Sequence, residues 1–216
     1  MKRKIFHTSL LLILSIKISI ILALLNSYFA NFIWKKYYYG YSLDAYHTIF
    51  YSYPLLIGLL MTLYNPREFG LGLAQTFKNW KISLICTLII IIPILVYFKT
   101  TAYSPFHSMS WQVFILAPLG EEIIFRGAFY TWINETLKDI IDNHEEVIIL
   151  LSIVFSALAF GFWHIPNIIV EPTYTVSQIS HTTFLGLIFG YLRYKTGSIY
   201  SSVIIHSIIN FLATLT

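Results

Sequence analysis

Apolar residues occur along this chain in long runs that short polar breaks separate. A membrane-spanning helix needs about 20 mostly apolar residues. Seven stretches approach that length, roughly 9–33, 46–64, 82–98, 111–133, 147–165, 179–194 and 198–215. The breaks between them contain Pro, Gly and charged residues, as is typical of loops. The pattern predicts an all-α, polytopic membrane helix bundle with seven or eight transmembrane helices, in a single domain over residues 1–216.

Composition agrees with a membrane protein and excludes several function classes. Charged residues make up only 11% of the 216 residues, against about 25% in soluble domains, and the mean hydropathy is +0.70. The net charge of +4 comes from scattered bases, so we expect contact with the lipid bilayer and none with nucleic acid. The single cysteine, Cys86, rules out an intramolecular disulfide and a Cys-rich zinc site.

Lys and Arg in the loops predict the orientation of the bundle. If the N-terminus is inside, nine loop bases lie on the inner side and three on the outer side. We therefore expect a multi-pass protein of the plasma membrane with a cytoplasmic N-terminus. Seven spans would place the C-terminus outside, and an eighth would reverse it. The apolar run after "MKRK" resembles a signal peptide, but its length predicts an uncleaved first span.

Three charges interrupt the fourth apolar stretch, in "PLGEEIIFRGAFY" at 118–130. A charge at the centre of a bilayer span costs about 2.5–3.5 kcal/mol even on the mildest scale. Glu122 and Arg126 are spaced i, i+4 and can pair on one helix face. Glu121 points about 100° away from Glu122. The carboxylate of Glu121 therefore needs a partner from another helix.

Candidate partners for Glu121 lie in the fifth and seventh stretches. His164 ends the fifth, where "FWHIP" predicts a tilted or broken helix, and His206 and Asn210 share one face of the seventh. Glu121, His164 and His206 could bind Zn²⁺ with an open fourth position. The same set could also work without metal, a glutamate acting as base on a water while His and Asn stabilise the oxyanion. Both arrangements describe peptide hydrolysis.

Other histidines fit simpler roles. A lone histidine in a membrane helix is more often a hydrogen-bonding packing residue than a ligand, and His47 and His181 are assigned to that role. "HEEVI" at 144–148 lacks the second histidine of a zincin motif.

Three motifs occur in order on three separate spans: "EEIIFR" reads as EExxxR, "FGFWH" as FxxxH and "HSIIN" as HxxxN. Over about residues 111–212 the chain resembles the CAAX-protease and bacteriocin-processing (CPBP, or Abi) family of intramembrane metalloproteases. The resemblance implies a protease core in this segment and an active site inside the membrane. Any one of the motifs would be weak, and their combination in an apolar chain is specific.

The resemblance also implies roles for the motif residues. Glu121 would activate water, with Glu122 as the second motif glutamate and Arg126 as its ion-pair partner. His164 would act with Glu121 on the water or metal. His206 and Asn210 would polarise the scissile carbonyl, or His206 would bind the metal. Phe160 would have a packing role.

The resemblance leaves the substrate open. The family includes endopeptidases that trim prenylated CAAX proteins, and bacterial members tied to peptide processing, bacteriocin self-immunity or regulation of partner membrane proteins. A chain rich in Ile, Lys, Tyr and Asn suits a low-GC bacterium, which favours a peptide or membrane-protein substrate without a prenyl group. The rivals are a non-proteolytic regulator or immunity protein and a small ion or proton transporter, which the lack of repeat symmetry disfavours.

Overall fold

The computed structural model describes residues 2–37, 43–63, 65–72, 79–101, 111–142, 144–169 and 172–214. All regular structure in these ranges is helical, which confirms the predicted all-α class for this part of the chain. The elements in order are α1 (Lys2–Tyr37), α2 (Leu43–Thr62), α3 (Trp80–Thr101), α4 (Trp111–Phe114), α5 (Leu116–Glu122), a π-helix (Ile123–Phe129), α6 (Tyr130–Ile140), α7 (Glu145–Phe162), a 3₁₀-helix (Ile165–Ile169), α8 (Pro172–Thr196) and α9 (Tyr200–Thr214).

Among the described residues, two helical segments are long and apolar enough to cross a membrane, Phe6–Tyr28 and Glu145–Ile168. The same ranges contain three shorter apolar helices, namely Phe50–Thr62, Trp80–Ile92 and Tyr200–Ala213. The number of seven spans and the orientation therefore stay predictions.

The surface of the bundle is apolar along several helices. On α3, Ile85 is 57% and Ile89 62% exposed, and on α8 Phe184 is 62% exposed. Polar groups are found inside instead, since Ser19 of α1 is fully buried and donates to the carbonyl of Ala159 at 2.6 Å. An exposed apolar surface around a polar interior is the distribution expected in lipid.

Helices α7 and α8 form the closest helix pair, and small residues permit it. A Cβ atom added to Gly186 of α8 would lie only 2.9 Å from the Cα of Ala157 on α7. Small residues at a crossing let two helix backbones approach closely in a membrane. Helix α2 packs against α5 and the π-helix. The charged fourth stretch is thus enclosed by other helices.

The observed boundaries refine the predicted spans. The fourth stretch is a succession of short helices from Trp111 to Ile140, so the polar segment that begins at Asn134 starts inside α6. The predicted break near "FWHIP" is confirmed, because α7 ends at Phe162 and a 3₁₀-helix follows from Ile165. Pro166 in that helix lacks the N–H that an α-helix would need. The sixth stretch is longer than predicted, since α8 covers Pro172–Thr196.

Candidate active site

The π-helix Ile123–Phe129 begins directly after the two glutamates and contains Arg126. A π-turn takes one more residue than an α-turn and is frequent at functional sites. At its end, the N–H of Tyr130 bonds to the carbonyls of Phe125 and Gly127 and skips that of Arg126. One extra residue changes the direction of the following side chains by about 100° relative to a continuous α-helix. The π-helix therefore determines how the glutamates face relative to α6.

Glu122 and Arg126 form a fully buried ion pair. Nε of Arg126 lies 3.3 Å from Oε2 of Glu122, and both side chains are 0% exposed. The guanidinium carbon lies 4.3 Å from the ring centre of Phe160 and 5.2 Å from that of Phe189. Aromatic faces attract a cation. The i, i+4 pairing that the sequence predicts is thus present, and two rings from other helices complete the surroundings of the charge.

His206 of α9 joins the two glutamates. Its Nδ1 donates to Oε1 of Glu122 at 3.1 Å, and its Nε2 lies 3.8 Å from Oε2 of Glu121. The four side chains thus form a row in the order Arg126, Glu122, His206, Glu121. Oε1 of Glu122 is hydrogen-bonded to His206, and Oε2 is within ion-pair distance of Arg126 without a hydrogen bond. Within the part of the chain that the structure describes, no Arg or Lys lies within 4 Å of the Glu121 carboxylate.

Phe160 and Phe189 hold the imidazole of His206 from two directions. The Phe189 ring stacks on it, with centroids 5.6 Å apart and an interplanar angle of 29°. The Phe160 ring meets it edge-on at 5.8 Å. Both rings also contact Arg126. The two phenylalanines therefore fix the cation and the imidazole of the row together.

The break after α7 places His164 beside this row. Its ring meets Phe160 edge-on at 5.7 Å between centroids, so Phe160 contacts both motif histidines. Nε2 of His164 is buried and has no hydrogen-bond partner among the described residues. A buried ring nitrogen without a protein partner is suited to bind a water or a reacting group.

Asn210 lies one helical turn beyond His206 on α9. Its Nδ2 donates to the carbonyl of Val113 at 2.9 Å, which ties α9 to α4. An amide nitrogen carries two hydrogens, so this bond uses one of two donors. The contact shows how α9 is held, and a role for Asn210 toward a substrate stays a prediction.

Two site residues have no counterpart in the sequence interpretation. Trp163 is 7% exposed and meets the Phe125 ring edge-on at 5.7 Å, and its indole lies near Glu121. Its only sequence signal is that it precedes His164. Phe189 lies in the apolar part of α8, where nothing in the sequence distinguishes it from its neighbours.

The zinc ligands predicted from the sequence are Glu121, His164 and His206. Among the described residues, no three His, Cys, Asp or Glu side chains come together as a metal-binding group. Nε2 of His164 is buried without a hydrogen-bond partner. Nε2 of His206 lies 3.8 Å from Oε2 of Glu121, which is longer than a hydrogen bond, while its Nδ1 is bonded to Glu122. Zinc use stays a prediction.

Comparison with known proteins agrees with this site. A family model described as type II CAAX prenyl endopeptidase, Rce1-like, matches residues 103–212. These residues are just over half of the 216-residue chain and include all three motifs. Searches of curated proteins and of solved structures found no significant match. The chain therefore belongs to the Rce1-like family of type II CAAX prenyl endopeptidases.

Proposed function

We propose that this protein is an intramembrane endopeptidase in which Glu121 activates the attacking water. One observation carries the assignment. Of the two adjacent glutamates, only Glu122 is neutralised by Arg126, at 3.3 Å, while Glu121 has the longer contact to His206 at 3.8 Å. A general base needs a carboxylate oxygen that can accept a proton. Glu122 instead orients the imidazole of His206 through Nδ1.

In this mechanism the other motif residues hold the water and stabilise the charge that develops. His164, whose Nε2 is buried and unpartnered, holds the water together with Glu121. The water oxygen attacks the scissile carbonyl carbon as Glu121 takes its proton. That proton then passes to the leaving nitrogen as the C–N bond breaks. The second N–H of the Asn210 amide stabilises the oxyanion, and so does Nε2–H of His206 in the imidazolium form, whose Nδ1–H donates to Glu122. Both act as donors directed at a developing charge.

The substrate class follows from the location of the site. The reacting groups lie on helices inside an apolar bundle, so a substrate must be a segment that can enter the membrane or its surface. We propose a small peptide or a membrane-protein segment, in bacterial peptide processing or bacteriocin self-immunity. The composition of the chain, which suits a low-GC bacterium, favours substrates without a prenyl group.

The experiment that tests this function compares His164→Ala with the unchanged protein in detergent, on a quenched-fluorescent peptide library. We expect kcat to fall by about 10²–10⁴-fold, the contribution of general acid–base groups. The matched control is His144→Ala, an exposed histidine directly before α7. Equal cleavage by the two alanine variants would contradict the proposal.

Zinc is measured on the same two proteins by elemental analysis. Near one zinc per chain, lost in His164→Ala and retained in His144→Ala, would establish a metalloprotease and make His164 a ligand. No zinc in either, with metal supplied during purification, would support the metal-free mechanism.

Phe189→Leu tests the aromatic contacts of the row. The change keeps an apolar side chain but removes the stack on His206 and the ring face toward Arg126. An aromatic pair contributes about 0.5–1.5 kcal/mol beyond its burial, and 1.36 kcal/mol is tenfold in rate. We expect kcat to fall about tenfold with KM unchanged. Phe184→Leu, an exposed position on the same helix, should have no effect, and a wild-type kcat in Phe189→Leu would refute the assigned role.

A further inference from the structure

The bundle contains a second buried guanidinium, that of Arg193 on α8, which is 7% exposed. Among the described residues, no Asp or Glu lies within ion-pair distance of it. Its partners are backbone carbonyls instead. Nε donates to the carbonyl of Arg126 at 3.1 Å, and an Nη donates to the carbonyl of Glu68. The ring of Tyr130 lies 5.6 Å from the guanidinium carbon.

In the π-turn, the carbonyl of Arg126 accepts no hydrogen bond from the N–H of Tyr130. That N–H bonds to the carbonyls of Phe125 and Gly127 instead. A buried carbonyl without a partner is destabilising, and a donor that carries a charge makes a stronger bond than a neutral one. Arg193 therefore stabilises the π-turn over an α-turn. It does so from a position 67 residues away in the sequence.

The surroundings of Arg193 are shaped to hold it in place. Residues 65–72 cross over its side chain, and Gly70 in this segment has a φ of +79°. A Cβ atom on Gly70 would lie 2.8 Å from Nε and 2.9 Å from Cζ of Arg193. Only glycine adopts such a φ freely and leaves this space. The guanidinium is thus enclosed between the 65–72 segment and the π-helix.

We propose that Arg193 is a positioning residue of the peptidase site. By donating to the carbonyl of Arg126 it holds the π-helix, and the π-helix sets the direction in which Glu121 and Glu122 face relative to α6. Without Arg193 the segment rewinds toward an α-helix, which turns the two ends by about 100° relative to each other. The catalytic consequence rests on the proposed peptidase function, whereas the structural consequence does not.

The first test is kinetic. Arg193→Met removes both donors and keeps the unbranched chain, and we expect kcat to fall about 10²-fold, the cost of a misplaced catalytic group. KM should change less than about twofold, since the substrate-binding surface is retained. The matched control is Lys195→Met, which removes a cation on the same helix whose contacts are the rings of Tyr191 and Tyr194.

The second test reads the helix without any proteolysis. Two contacts bracket the π-helix, Gln112 with Thr48 at 2.8 Å before it and Asn134 with Ser152 at 3.2 Å after it. Each pair is converted to two cysteines in a Cys86→Ser chain and treated with a short bifunctional thiol reagent. Both pairs should cross-link when Arg193 is present. A helix rewound by one residue cannot keep both cysteine pairs within reach of the reagent. We therefore expect Arg193→Met to lose at least one cross-link and Lys195→Met to keep both.

The outcomes separate this proposal from the peptidase function. Retention of both cross-links in Arg193→Met overturns the proposal, whatever happens to kcat. If Arg193→Met loses a cross-link and the unchanged protein cleaves no peptide, the result supports the positioning role and counts against the peptidase function. If Arg193→Met fails to fold, Arg193→Lys replaces it and keeps one donor. We then expect a kcat about tenfold lower and a reduced cross-link yield, and unchanged values of both would overturn the proposal.

Discussion

Glu121→Gln is expected to lower kcat for peptide cleavage by about 10²–10⁴-fold while the chain stays folded and membrane-inserted. Glutamine keeps the size of the side chain and its ability to contact Trp163 and His206, but its amide cannot accept the proton of the attacking water. Because Glu121 has no paired arginine or lysine among the described residues, loss of its charge leaves no buried cation behind. The change should therefore act on catalysis and little on stability.

The measurement is the initial rate of peptide cleavage by purified protein in detergent, normalised to protein that elutes as a single species. Glu135→Gln is the matched control, since Glu135 is 63% exposed and pairs with Lys138 at the surface. A wild-type rate in Glu121→Gln would refute the base role. If its biological effect in cells also survived, the protein would be a non-proteolytic membrane regulator or immunity protein.

Arg126→Met is expected to destabilise the folded bundle by about 3–5 kcal/mol, because it leaves the carboxylate of Glu122 buried without its cation. Both partners are 0% exposed, so neither lipid nor bulk water solvates the remaining charge. The double variant Glu122→Gln with Arg126→Met should recover much of this loss, since replacing both partners of a buried pair is often nearly neutral. Cleavage should stay low in the double variant, because His206 loses its charged partner.

Thermal unfolding in detergent, followed by circular dichroism, measures this effect. Lys138→Met is the control, because it breaks a surface ion pair of 2.7 Å between half-exposed side chains. Such a pair contributes about 0.2–1 kcal/mol. Equal losses in Arg126→Met and Lys138→Met would contradict the structural importance of the buried pair, and a double variant no more stable than Arg126→Met would contradict its ionic origin.

The spacing of residues along the sequence determined much of the fold and part of the site. The apolar runs and the low share of charged residues indicated an all-α membrane protein, because the periodicity and length of a helix depend on residues close together in the sequence. The pairing of Glu122 with Arg126 was predictable for the same reason, since residues four apart share a helix face. The break at His164 was also predictable, because Pro166 cannot donate the backbone hydrogen bond that a continuing α-helix needs. The order of the three motifs indicated the family.

The tertiary structure decided what depends on residues far apart in the chain. A π-turn differs from an α-turn by one residue in its hydrogen-bond register. Here the carbonyl of Arg126 accepts a hydrogen bond from Arg193, 67 residues away. The bond from His206 to Glu122 joins residues 84 apart. Phe189 became a site residue only because α8 packs against α9 and the π-helix. No local pattern distinguishes such a phenylalanine or arginine from its neighbours, because its role arises when the helices pack.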